Sequence, residues 1–331
     1  MIISSQGEAC GPNDDIKALD LHGTQALRDR LLQIQANSGN GEEALLAGAE
    51  IELENDKKAE LAKIEEAKHA LQDFRSYLAQ SSDKAAQALP SEEELVYNYN
   101  PETQECKITR LDDREIVLDL NSSHLQGELP LPAQLMVTML YCADNQITVL
   151  PELPDSLTLL NCRYNDLTTL PELPASLPEL WCNHNQLTAL PELPDSLTNL
   201  YCSSNQLTAL PKLPDSLTEL DCGTNQLTTL PVLPISLTKL DCSYNHLTTL
   251  PVLPTNLTYL CCESNHLTKL PELPTSLTRL YCAHNQLTTL PGLPISLTTL
   301  DYAWNNNLGS EPATRATIQA MIDRGGSVSS I

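Results

Sequence analysis

The residues with the most obvious capacity for chemistry are eight cysteines spaced twenty apart: Cys142, Cys162, Cys182, Cys202, Cys222, Cys242, Cys262 and Cys282. Such a series suits three chemistries. A structural zinc site needs four ligands converging at about 2.0–2.3 Å. A disulfide ladder needs an oxidising compartment. A column of buried thiols needs neither, because small buried cysteine packs as an apolar side chain. The seven histidines, His22, His69, His124, His184, His246, His266 and His284, supply few further ligands. Only His246 and His266 fall at equivalent places one period apart, where two imidazoles would bind a metal weakly. The chain has no glycine-rich phosphate loop, no H-E-x-x-H and no G-x-S-x-G.

The elements that must position the cysteines decide between these chemistries. From Val137 to Leu300 the chain repeats with a period of 20 residues and no slip. Residues 217–236, LTELDCGTNQLTTLPVLPIS, serve as one unit with positions 1 to 20. Leu217, Leu220, Cys222, Asn225 and Leu227 occupy positions 1, 4, 6, 9 and 11. This is the leucine-rich-repeat pattern L-x-x-L-x-L-x-x-N-x-L, with cysteine in a leucine place. Ten units are expected, beginning near Glu115 and Val137 and then every twenty residues; the first is degenerate, with Ser123 in the asparagine place. Positions 3 to 7 predict a short strand whose side chains alternate, with 4 and 6 inward and 3, 5 and 7 on the concave face. The position 9 asparagine is expected to be buried and to bond the backbone of its own and the next coil. Two prolines in Leu210-Pro211-Lys212-Leu213-Pro214 forbid a regular helix and favour an extended, polyproline-like convex side. The cysteines then form an inward ladder about 4.8 Å apart from coil to coil, a spacing at which four sulfurs cannot converge. Packing is the expected role, with no metal and no cofactor. Cys261, at position 5, is expected to be the accessible thiol.

The flanks differ in composition. Residues 1–13 read as disordered, 14–89 as a helical N-terminal region, 90–114 as a linker with a β-hairpin cap, 115–310 as the solenoid, and 311–331 as a helical cap and tail. Ile16, Leu19, Leu27, Leu31 and Ile34 have loosely helical spacing. Ile64, Ala67, Leu71, Phe74 and Leu78 step by 3 and 4, a heptad stripe. That stripe serves a helical hairpin or small bundle within one chain, or self-association of two copies through 42–88. LVYNYN and CKITRL read as paired strands that cover the open edge of the first coil. Ile318, Met321 and Ile322 mark one face of a closing helix over 311–324. The fold class is thus an α/β solenoid: a parallel sheet on the concave face, an extended convex face, and an α-helical N-terminal domain.

The formal charge of −24 is spread along the chain, −11 over residues 1–114 and −13 over 115–331. Such a surface repels phosphate backbones and anionic lipid, so neither nucleic acid nor membrane is an expected partner. The opening MIISSQGEACGPNDD has no basic region followed by an apolar run, so no Sec leader is expected. Aromatic placement points elsewhere. Nine Tyr or Trp residues lie in 115–331, and eight fall on outward columns. Tyr259 is at position 3; Tyr141, Trp181, Tyr201 and Tyr281 at position 5; Tyr164, Tyr244 and Trp304 at position 8. Tyr141, Tyr164, Trp181, His184 and Tyr201 make one candidate cluster for protein binding. Asp221 and Asp241, beside Glu219, make an acidic middle. Tyr259, Arg279, Tyr281, His284 and Trp304 make a second, more basic cluster. Strand propensity also favours aromatics at such places, while tyrosine and tryptophan are common interface anchors.

The 20-residue unit with LPELPxSLxxL and an asparagine turn resembles the bacterial leucine-rich-repeat effectors of the YopM and IpaH group over about 115–310. The resemblance implies synthesis in a bacterial cytoplasm, secretion into the cytoplasm of a host cell, and binding of a host protein. Some members of that group add a C-terminal ubiquitin-ligase domain, for which the thirty or so residues after Leu300 leave no room. The resemblance therefore implies a non-enzymatic member. An alternative role is that of a substrate adaptor for a host ubiquitin ligase or kinase.

Overall fold

The computed structural model describes residues 42–100, 103–305, 308 and 312–329. The segment 14–37, expected to be helical, lies outside the described residues. The described residues divide into two compact units, one of those up to 74 together with those in 90–114, and one of 75–89 together with those from 115 onward. Among the described residues no helix is long and apolar enough to cross a membrane.

In the first unit, α1 (Glu42–Ser81) enters as one continuous helix. The antiparallel hairpin of β1 (Leu95–Asn100) and β2 (Glu105–Arg110) pairs Leu95 with Arg110 through to Asn100 with Glu105. Ile64, Ala67, Leu71 and Phe74 are buried on the helix, as are Leu95, Cys106 and Ile108 on the hairpin. Lys68 of α1 lies 5.8 Å from the centre of the Tyr97 ring. These four residues of the heptad stripe are therefore buried within one chain. β1 and β2 fall in the same compact unit as the body of this helix.

The second unit is the solenoid. Its N-terminal end is held by the last turns of α1 and by α2 (Asp83–Gln87). The Tyr77 hydroxyl donates to the carbonyl of Gln126. Lys84 donates to the carbonyl of Asn121 at 2.7 Å and to the carboxylate of Asp119. Leu78, Ala85 and Leu89 are buried there. Next come β3 (Ile116–Asp119), β4 (Gln126–Glu128), β5 (Val137–Tyr141) and β6 (Gln146–Val149), with β4 paired to β6 as a small second sheet. One three-residue strand per coil follows: β7 (Leu159–Asn161), β8 (Glu179–Trp181), β9 (Asn199–Tyr201), β10 (Glu219–Asp221), β11 (Lys239–Asp241), β12 (Tyr259–Cys261), β13 (Arg279–Tyr281) and β14 (Thr299–Asp301). Then α3 (Pro312–Asp323) leads to β15 (Ser327–Ser329), which adds an eleventh parallel strand beside β14. This last strand was not expected. Within α3, Ile318 and Met321 are buried as expected, whereas Ile322 is 44% exposed and lies off that face.

The leucines at positions 1, 4 and 11 and the cysteines at position 6 are almost wholly buried in every regular coil. Strands span positions 3 to 5 and not 3 to 7, because position 8 turns the chain. All nine position 8 residues from Asp144 to Trp304 have φ between 50° and 57°. None is glycine, although left-handed backbone costs a residue with a Cβ about 1 kcal/mol or more. The turn is held by a ladder of amides. The N–H of Thr224 donates to the carbonyl of Ser243, and that of Asn205 donates to the carbonyl of Thr224. The convex segments carry neither helix nor strand, consistent with their paired prolines. Serines at position 20 tie these segments together, as where the Ser236 hydroxyl donates to the carbonyl of Leu217.

The buried asparagines complete the frame. Asn225 Nδ2 lies within hydrogen-bond range of the carbonyls of Cys202, Cys222 and Gly223, and its Oδ1 accepts from the N–H of Leu207 at 2.9 Å. Cys202 and Leu207 belong to the preceding coil, so the amide reaches backward and not to the next coil as expected. The same pattern runs from Asn165 to Asn305.

Candidate binding surface

The register of the sheet sets the surface. Position 5 residues pair in one row: Tyr141, Asn161, Trp181, Tyr201, Asp221, Asp241, Cys261, Tyr281 and Asp301. Position 3 residues run alongside, including Glu219, Lys239, Tyr259 and Arg279. The position 5 row is less open than alternation alone implies. Trp181 and Tyr201 are half-buried, and the indole N–H of Trp181 is buried without a partner.

The first cluster resolves into two pairs. Trp181 meets Tyr201 edge to face with ring centres 5.2 Å apart, and the Arg163 guanidinium lies 5.4 Å from the Trp181 ring. Tyr164 and His184 stack at 4.1 Å with planes 8° apart. That parallel stacking follows from the shared left-handed turn at position 8, which aims successive side chains in one direction. Tyr141 is separated from Trp181 in the row by buried Asn161. Its hydroxyl faces the Met139 sulfur, 3.9 Å away.

The second cluster also divides. Tyr259 and Tyr281 approach to 5.6 Å, and His284 stacks on Trp304 at 5.7 Å. Tyr244 and Trp304 are exposed, as is Arg279. Tyr244 stands between Thr224 and Ser264 in the position 8 column, with no ring beside it there. His246 and His266 stack in parallel at 5.8 Å. Their in-plane lone pairs therefore run side by side and do not meet at one point. Among the described residues no three His, Cys, Asp or Glu side chains form a metal cluster.

The acidic middle joins the two clusters. A hollow of about 310 Å³ is lined by Tyr201, Glu219, Leu220, Asp221, Lys239, Asp241, Tyr259 and Arg279. The Tyr201 hydroxyl donates to Glu219 at 2.9 Å, and Lys239 forms an ion pair with the same carboxylate. Burial alone would raise the Glu219 carboxyl, but the hydrogen bonds from Lys239 and Tyr201 hold it below its ordinary value. Asp221 is raised, first by burial and further by the charge of Asp241 beside it; the Ser203 hydroxyl and the Gly223 N–H oppose the shift. Asp241 accepts from both the N–H and the hydroxyl of Ser243. Lys239 and Arg163 were not singled out by spacing, although their outward positions 3 and 7 were legible.

Cys261 corrects an expectation. It is only 6% exposed, and burial pushes its thiol up to about 12. Tucked between Asp241 and Tyr281 in the row, it is no accessible nucleophile. The position 6 cysteines are free thiols in separate coils, each raised by burial. Cys222 and Cys242 point their sulfurs at the position 5 carbonyls of the next coil, 3.3 and 3.4 Å away. On the convex side Val232, Ile235 and Val252 stand exposed, where other coils carry charged residues such as Glu192, Lys212 and Asp215.

No family model matches the chain, and no curated protein matches it. Solved structures do. YopM from Yersinia enterocolitica WA-314 is 37% identical over 55% of this chain and 45% of its own, with a TM-score of 0.50. YopM from Yersinia pestis, described as a leucine-rich effector protein, is 32% identical over 72% of each chain, with a TM-score of 0.54. The chain thus spans less than half of the first of these structures and nearly three quarters of the second. The architecture is that of a protein-interaction module, with side chains of several chemistries displayed along one curved parallel sheet. By the identity and coverage shared with the Yersinia pestis protein, on a solenoid of the same 20-residue leucine-rich coils, the chain belongs to the YopM family of bacterial leucine-rich-repeat effectors.

Proposed function

We propose that this protein is a non-enzymatic effector that binds a host protein on the concave face of its solenoid, after secretion from the bacterium that makes it. The supporting observation is the placement of the aromatics. Of nine Tyr and Trp residues in 115–331, eight leave the sheet at positions 3, 5 and 8, and the core is built without them from leucine and cysteine. Exposed or half-exposed rings of this kind act as anchors in interfaces. The effector role is supported by the family, whose Yersinia pestis member is a leucine-rich effector protein.

The test needs one partner, identified by cross-linking in infected cells, and five proteins: wild type, Trp181→Ala, Tyr281→Ala, Lys212→Ala and Val232→Asp. Truncating a hot-spot aromatic costs about 2–4 kcal/mol, roughly a thirtyfold to thousandfold loss of affinity. Trp181 is half-buried, so its variant is compared with Tyr281→Ala, and both are checked for native circular dichroism. The convex variants Lys212→Ala and Val232→Asp should bind like wild type. Wild-type affinity in both aromatic variants, with loss in a convex one, would move recognition off the concave face.

A further inference from the structure

We infer that the hollow between Tyr201 and Tyr259 is a receptor for an arginine side chain presented by the partner. This rests on the reading that the concave face binds protein, and names the chemistry of its central contact. The hollow carries three carboxylates against two cations, and one of those cations, Lys239, is already engaged by Glu219. Asp221 and Asp241 remain, side by side in register on adjacent strands. Neutral donors orient both: Ser203 and Gly223 for Asp221, Ser243 for Asp241. No ion pair reaches either carboxylate among the described residues, and their positions are set before any partner arrives.

The surroundings select a guanidinium over other cations. Two carboxylates one strand apart match a planar fork with several donors better than a point charge. Tyr201 and Tyr259 line the hollow, and aromatic rings attract a guanidinium. Gly223 keeps the approach clear: a Cβ there would lie 3.3 Å from Asp241 Oδ1 and 3.0 Å from the Ser243 hydroxyl. Burial and the neighbouring charge of Asp241 make Asp221 costly to ionise alone, so an incoming cation gains more there than at an exposed carboxylate.

The experiment titrates the whole protein with acetyl-Ala-Arg-Ala-amide and follows backbone amides by nuclear magnetic resonance. The reporters are Gly223 and Ser243, whose N–H groups donate to the two carboxylates. Saturable shifts at both are expected. They should weaken severalfold with lysine in place of arginine, and about tenfold or more with citrulline, which keeps the shape and loses the charge. Asp221→Asn/Asp241→Asn keeps one accepting oxygen at each position, enough for the Gly223 and Ser243 N–H groups, and should abolish the shifts while the rest of the spectrum stays native. Equal binding of citrulline or lysine, persistence of the shifts in the double variant, or absence of saturable shifts at Gly223 and Ser243 would overturn the assignment. The peptide does not depend on Trp181 or Tyr281. If it fails while those variants lose their protein partner, the hollow alone was misread.

Discussion

Replacing Asn225 by alanine is the sharpest test of how the coils are joined. Asn225 is 7% exposed, and four hydrogen-bond contacts run from its amide. They are not equally replaceable. The carbonyl of Cys202 also accepts from Asn205, and that of Cys222 also accepts from Asn245, so each keeps a partner in the variant. The N–H of Leu207 is different: in this buried coil its partner is Asn225 Oδ1. Its loss leaves an orphaned buried donor, costing about 1–3 kcal/mol. Losing the donated bonds adds about 0.5–1.5 kcal/mol. The expected total is about 1.5–4.5 kcal/mol. Asn225→Asp should cost more than alanine at pH 7, because a carboxylate would face the carbonyls of Cys202 and Cys222. The measurement is denaturant unfolding of the full chain, with hydrogen exchange at Leu207 as the local readout. Repeat arrays open locally, so exchange at Leu207 should accelerate more than at Leu267, three coils further on. A loss below about 0.5 kcal/mol, or unchanged exchange at Leu207, would refute the claim that this amide joins the coils.

Other expected outcomes come from the same coils. Thr224 is β-branched in left-handed backbone at φ 52°, so Thr224→Asn should stabilise by about 0.5–1 kcal/mol in chemical denaturation; destabilisation would mean that the turn is not strained. Asp221 has a raised folded-state value, so its charge opposes folding as pH rises through that value. Asp221→Asn should therefore raise the melting temperature at pH 7, with the difference closing below about pH 4; a lower melting temperature at pH 7 would reverse the sign. A small maleimide at pH 8 should leave Cys261 and the position 6 cysteines unlabelled until denaturant is added, because burial raises these thiols and shields them. Rapid labelling of Cys202 or Cys222 in the native protein would contradict the packed ladder.

Most of the frame was determined by the sequence itself. A strict 20-residue period in Leu, Cys and Asn specifies what faces inward at positions 1, 4, 6, 9 and 11, since alternation along a strand is local and each coil repeats the last. For the same reason the outward columns of Tyr141, Trp181, Tyr201 and Tyr281 could be written down residue by residue. Paired prolines likewise ruled out a convex helix without reference to any neighbour.

What needed the tertiary structure was every property set between coils or between distant segments. The direction in which Asn225 reaches depends on where the preceding coil lies, which no pattern within one repeat encodes. The left-handed turn at position 8 is occupied by Asp, Tyr, His, Ser, Thr and Trp alike; interstrand amide bonds impose it against local preference, so composition conceals it. That turn explains why Tyr164 stacks on His184, and why the strands stop short of position 7. Cys261 shares a column with exposed candidates but is covered by its neighbours, because burial depends on the size of adjacent side chains as well as on facing. Which carboxylate of the acidic middle is neutralised was decided by Lys239 standing one strand from Glu219. The ends were decided in the same way: α2 and β15 take their places because each completes hydrogen bonds and apolar contacts that the terminal coils cannot supply for themselves.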